Sequence, residues 1–128
     1  MKWWRILLAF TWELPQTILG LILLVLTSGY GFEKMKYAKV YWRQVKWGIS
    51  LGMFILLGRV YLPTKETTTK HEHGHSIQSM MFGPLYLIVI GLPSITFNIL
   101  TMLKILKPED YYFRYPENWA DKLGGVTR

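Results

Sequence analysis

The chain has 128 residues, 51% of them hydrophobic and 16% aromatic, with a formal net charge of +7 and no cysteine. That length suits one domain (1–128), the lack of cysteine excludes disulfides and thiolate metal ligands, and the clustering of the apolar residues argues against a purely water-soluble protein. The basic residues sit beside apolar runs and form no nucleic-acid motif, so the expected partner is a lipid bilayer and not nucleic acid.

Residues 1–31 read as a membrane anchor. The run "LPQTILGLILLVLTSGYG" (14–31) opens with Pro15, which suits the first turn of a helix. Trp3, Trp4 and Trp12 precede the run, and Tyr30 and Phe32 follow its core, as in aromatic belts at the headgroup level. No small-residue cleavage site follows the apolar part, so a retained anchor is expected. Lys34, Lys36, Lys39, Arg43 and Lys46 come next and point this side toward the cytoplasm by the positive-inside rule.

Residues 35–62 are rich in Val, Ile, Tyr, Trp and Phe. They read as a β-hairpin bending near Trp47-Gly48. The rival reading is a short spanning helix over 47–62, weakened by Gly48, Gly52, Gly58 and Arg59.

Residues 64–80 are polar and helix-compatible, and they contain "KHEHGHSIQS" (70–79). His71-Glu72-His73-Gly74-His75 satisfies H-E-x-x-H. On a helix, residues four apart share a face, so His71 and His75 can reach one ion at the usual Zn–N distance of ~2.0–2.1 Å. Glu72, next to the first histidine, can take the proton of a water whose pKa zinc lowers toward ~7. His73 lies off the shared face, while Gln78 lies on it, within reach of substrate or of a ligand. Thr69 to Glu72 also fits a capping box, which would occupy Glu72; a helix start near Thr64 or Lys65 leaves Glu72 free.

Residues 81–106 form a second apolar stretch. Its uncharged core "MFGPLYLIVIGLPSITFNILTML" (81–103) meets the ~20-residue length needed to cross a bilayer. The tail, 107–128, is polar and aromatic. In it, "PENWADKLGG" (116–125) reads as a helix opened by Pro116 and ended by Gly124-Gly125. Glu117 and Asp121 share one face of that helix. A catalytic zinc takes three protein ligands and leaves one position for water, and Glu117 is the candidate third.

H-E-x-x-H followed downstream by E-x-x-x-D resembles the gluzincin pattern of zinc metallopeptidases. The resemblance implies Zn2+ held by His71, His75 and Glu117. It implies Glu72 as general base, and Asp121 as the acceptor that orients a ligand histidine. "GISLGMFILL" followed by "HEHGHSIQS" resembles small H-E-x-x-H domains in which a glycine-bearing strand precedes the zinc helix. With "ENWADKLGGV", residues 47–126 look like a group of small bacterial membrane-associated proteins of this type. The implied activity is hydrolysis of a peptide or of a membrane-proximal protein substrate. For oxyanion stabilisation, His73, Tyr112, Arg114 and Tyr115 are candidates by proximity in sequence alone. The rival readings are a non-catalytic membrane scaffold or assembly protein, and a zinc-binding pseudo-enzyme. Nothing in the sequence specifies an oligomeric state.

The ligand set constrains topology. His71 and His75 precede the apolar run 81–106 and Glu117 follows it, so a single straight crossing would leave them ~30 Å apart. The run is therefore expected to fold back at Gly91-Leu92-Pro93-Ser94 as two half-helices, 82–91 and 94–106, in a re-entrant hairpin. A similar break at Glu13–Pro15 would make residues 3–31 a second hairpin, with the site on the cytoplasmic side of the cell membrane. The expected fold is membrane-associated α+β, with apolar helices or helical hairpins and a small β-hairpin before the zinc helix. The alternative is an all-α multi-span membrane protein.

Overall fold

The computed structural model describes residues 2–107 and 115–127. The N-terminal apolar segment forms two helices, α1 (Trp3–Ala9) and α2 (Leu14–Leu26), which meet at a bend of 94°. Pro15 sits in the first turn of α2, where a missing N–H breaks no helical bond. The bend is held by polar groups with no exposure: the Arg5 guanidinium bonds both carboxylate oxygens of Glu13, and Thr17 donates to the Ala9 carbonyl. Arg5 also donates to the Tyr37 carbonyl at 2.7 Å. These bonds fix a right-angle corner at the break where a hairpin over 3–31 is expected. Among the described residues no single helix is long and apolar enough to cross a membrane. Helices α1 and α2 meet that test of length and composition only together, as the bent pair.

Four strands follow: β1 (Phe32–Lys34), β2 (Lys39–Arg43), β3 (Gly48–Leu51) and β4 (Phe54–Gly58). Their order in the sheet is β1-β2-β4-β3. Pairs β1/β2 and β3/β4 are antiparallel, whereas β2 and β4 pair in parallel with Val40 opposite Ile55. The apolar run Phe54–Leu57 places β4 in the middle of the sheet, buried along its whole length. Strand β2 alternates, burying Val40 and Trp42. With Ala38, Ile55 and Leu57 these two form the core of one sheet face. Ser50, opposite Ile55, meets Ser76 of the following helix at 3.1 Å. On the other face Phe54 packs against Gly20 of α2, where a Cβ would lie 2.9 Å from the phenyl ring.

The chain is thus α+β, as expected, but the strand region is not one hairpin over 35–62. Strands begin at Phe32, and the tight turn falls at Gly52-Met53 rather than Trp47-Gly48. Gly52 has φ +68, which a two-residue hairpin turn requires and an L side chain resists. With residues 48–58 in the sheet, the spanning-helix reading of 47–62 and the all-α alternative both fall.

Helix α3 (Lys65–Phe82) follows a 3-10 turn (Arg59–Thr64), so it begins before the histidines and Glu72 is not engaged in a cap. The chain bends at Gly83, which has φ +55. A second 3-10 turn (Gly83–Leu85) and a π-helical turn (Leu87–Gly91) lead into α4 (Leu92–Met102). The fold-back expected at residues 91–94 is absent. Gly91 and Leu92 have helical dihedrals, and Pro93 lies in the first turn of α4. Pro93 cannot donate to the Val89 carbonyl four residues earlier. That carbonyl instead accepts a hydrogen bond from the Tyr115 hydroxyl at 2.8 Å. The tail therefore supplies the donor that proline removes, and the helix continues. The last helix, α5 (Glu117–Gly124), lies against α3.

Candidate metal centre

Helices α3 and α5 touch backbone to backbone. A Cβ on Gly74 would lie 1.8 Å from the Ala120 carbonyl oxygen, and a Cβ on Gly124 1.8 Å from that of Lys70. Only glycine fits at either position. The short α5 buries Glu117, Ala120 and Asp121 against α3, and the Trp119 indole packs edge-on against Phe82 with ring centroids 5.7 Å apart.

This contact delivers the side chains. His71 Nε2 lies 2.6 Å and His75 Nε2 2.9 Å from the same oxygen, Glu117 Oε2. All three residues are buried, and their candidate ligand atoms lie within 4.8 Å of one another. Each imidazole is oriented through its other nitrogen. His71 Nδ1 donates to Asp121 at 2.7 Å, and His75 Nδ1 donates to the Gln78 carbonyl oxygen at 2.7 Å. The Gln78 amide in turn donates to the Pro116 carbonyl at 3.2 Å, next to Glu117. The second Glu117 oxygen accepts a hydrogen bond from the Ser94 hydroxyl of α4. Two imidazole nitrogens with Nδ1 partners and one carboxylate oxygen converge in a buried place. That donor set fits a divalent metal, and the group could hold such an ion.

Charge is balanced within the group. Burial opposes protonation of His71, but its bonds to Asp121 and Glu117 outweigh this and raise its pKa to about 10. Burial opposes protonation of His75 too, and the bond to Glu117 again turns the shift upward. For Glu117 burial favours the neutral acid, yet the bonds from His71 and His75 hold it well below the usual carboxylate range. A metal bound here would compete with protons for the histidine nitrogens. Burial also pushes Glu72 upward, against the pull of His75 and His71 and with Glu117 adding to the rise.

Glu72 and His75 line a cavity of about 390 Å³ together with residues of α2, β3 and α4. The structure therefore brings together His71, His75, Glu117, Asp121 and Gln78, with Glu72 at the cavity. Gln78 serves as the partner of His75 rather than facing substrate. His73 and Tyr115 are committed elsewhere. His73 Nε2 accepts the Tyr37 backbone N–H at 3.0 Å and its ring stacks on Tyr37, while the Tyr115 hydroxyl is held by Val89. Tyr112 and Arg114 lie outside the described residues. Ser94 and the contact at Gly74 were not anticipated. A glycine between the two candidate ligand histidines was the only cue, and a lone serine after Pro93 carried none. Comparison with family models, curated proteins and solved structures finds no match to this chain.

Proposed function

We propose that the protein is a membrane-bound zinc metallopeptidase that hydrolyses peptide bonds with Glu72 as general base. The observation that carries this reading is the buried convergence of His71, His75 and Glu117 beside Glu72, at the end of a cavity. Zinc suits two imidazoles and a carboxylate, and when bound it would acidify a water and polarise the scissile carbonyl. Glu72 would take the proton from the attacking water and return it to the leaving amine. Its upward-shifted pKa suits a group that must hold a proton between those events. His71 is kept in register by Asp121 and His75 by Gln78, so neither ring has to find its orientation during the reaction.

Association with a bilayer is supported by the outward faces of the apolar helices. Val25 and Leu26 at the end of α2 are 85% and 74% exposed, and Ile88, Leu92 and Ile99 are at least half exposed. These faces would sit in lipid, with the basic stretch 34–46 and the site on the cytoplasmic side. A peptide or membrane-proximal protein segment is the corresponding substrate.

A second reading is a non-catalytic scaffold in which the His71–Glu117 and His71–Asp121 hydrogen bonds serve to fasten α5 to α3. Metal analysis of the purified full chain separates the two. The peptidase reading expects one zinc per chain, lost in His71→Ala and Glu117→Ala and kept in Glu72→Gln, which abolishes turnover. Zinc at background in the wild type would sink it.

A further inference from the structure

The cavity beside Glu72 has a composition that defines what can enter it. Its volume of about 390 Å³ lies within the roughly 300–1,000 Å³ of small-ligand sites. The chain carries 15 lysines and arginines, yet none of those among the described residues lines this cavity. Among the described residues, Glu72 and His75 are the only carboxyl or imidazole groups in its lining. The hydroxyls in the wall are already committed: Ser50 pairs with Ser76, Tyr86 donates to the Ser50 carbonyl, and Ser94 donates to Glu117. Away from Glu72 and His75, a charged substrate side chain would find only the neutral Asn98 amide to receive it among the described residues, which is unfavourable.

The rim has the same character. Leu19 and Ile22 of α2 and Leu92 and Ile95 of α4 line the cavity, and each is also 42–60% exposed. Apolar surface therefore runs from the outside of both helices into the cavity, where Ser94 and Asn98 of α4 are the polar lining residues these two helices contribute. A continuous exposed apolar surface of this kind marks a site of contact with apolar partners.

We propose that the cavity receives a large apolar side chain adjoining the scissile bond, and that the cleaved segment is itself apolar, entering between α2 and α4. This rests on the metallopeptidase reading and adds the class of substrate. The occupant is a peptide side chain because the cavity is continuous with the residues that would work on a peptide bond. A lipid acyl chain, which the same walls would tolerate, is the competing occupant.

The test uses the zinc-loaded full chain and four hydroxamates, whose common headgroup binds zinc: acetohydroxamate, N-acetyl-leucine hydroxamate, N-acetyl-aspartate hydroxamate and octanohydroxamate. Affinities are measured by titration calorimetry. The leucine probe is expected to bind about ten- to a hundred-fold more tightly than acetohydroxamate, as burial of one apolar side chain would produce. The aspartate probe gains nothing. Gly91 lies in the cavity wall with helical dihedrals, and a Cβ there meets only Tyr86 O at 3.7 Å and Leu87 Cδ2 at 3.8 Å. Gly91→Leu should therefore fill the cavity, erase the preference for the leucine probe and leave acetohydroxamate affinity unchanged. Should Gly91→Leu fail to hold zinc, Ile95→Phe at the exposed rim makes the same comparison. Equal affinity for the leucine and aspartate probes, or a preference that survives cavity filling, overturns the inference while leaving the metallopeptidase reading intact. Tighter binding of octanohydroxamate than of the leucine probe assigns the cavity to an acyl chain and also overturns it. Failure of acetohydroxamate to bind at all removes the metallopeptidase reading, and this inference with it.

Discussion

The carbonyl oxygen of Ala120 stands where a Cβ of Gly74 would be, 1.8 Å from that position. The glycine lies between the two candidate ligand histidines, so the space it leaves is what admits α5 and its carboxylates. Gly74→Ala should push α5 away from α3. We expect a stability loss of about 1–3 kcal/mol from overpacking, together with a loss of zinc affinity, read by thermal unfolding and chelator competition. Full zinc affinity in Gly74→Ala would mean that the backbone contact does not set the site.

Ser94 holds one Glu117 oxygen and leaves the other facing both imidazoles. Ser94→Ala frees the carboxylate to rotate. Zinc affinity should fall about 10–100-fold, as for loss of other groups that orient a ligand, and Ser94→Thr should restore most of it. Chelator competition on the three proteins gives the answer.

Metal and protons compete for the same nitrogens. His71 has its pKa raised from 6.5 to about 10 in the metal-free fold, and His75 moves in the same direction. At pH 8 the metal-free protein therefore holds a proton on His71, and zinc must release it. Calorimetric titration with zinc at pH 8, in buffers of differing ionisation enthalpy, should show release of about one proton or more. The same shift bears on stability without metal. A raised histidine pKa stabilises fully below 6.5, and that stabilisation is lost as pH rises through about 10. Glu117 is depressed below its usual 4.5, so its stabilisation is present above that value and is lost on acidification through its lowered pKa. Metal-free protein should thus be most stable in mildly acidic solution and weaken from pH 7 to 10, whereas zinc-loaded protein should not follow that alkaline decline.

Glu72→Gln keeps shape and burial but cannot accept a proton. With a cleavable peptide in hand, turnover should fall about 10²–10⁴-fold at unchanged zinc content. Undiminished turnover would remove Glu72 from the reaction.

Arg5 and Glu13 form an ion pair with no exposure on either partner. Removing one charge alone strands the other. Arg5→Met should destabilise by about 3–5 kcal/mol, while the double variant Arg5→Met/Glu13→Leu should recover much of that loss. Denaturant unfolding of the three chains measures both effects.

What the sequence disclosed and what it hid follow from distance along the chain. The pairing of His71 with His75, and of Glu117 with Asp121, is local helical geometry, so spacing alone could show it. The strand character of 39–58 was also legible, because Val, Ile, Trp and Phe dominate there. The parallel pairing of β2 with β4 was not, since it depends on β4 being apolar enough to displace β3 to the edge. Pro93 misled for a similar reason. The local rule is that proline breaks a helix, and the group that relieves the break, the Tyr115 hydroxyl, lies 26 residues from the carbonyl it bonds. Ser94 was invisible because a serine announces nothing until its partner is known.

One carboxylate joins three stretches of chain. Glu117 belongs to α5, is gripped by two side chains of α3, and takes a hydroxyl from α4, across separations of 46, 42 and 23 residues. It is a clasp as much as a candidate ligand. Fold and candidate site are fastened at the same point, so a change at Glu117 would loosen both.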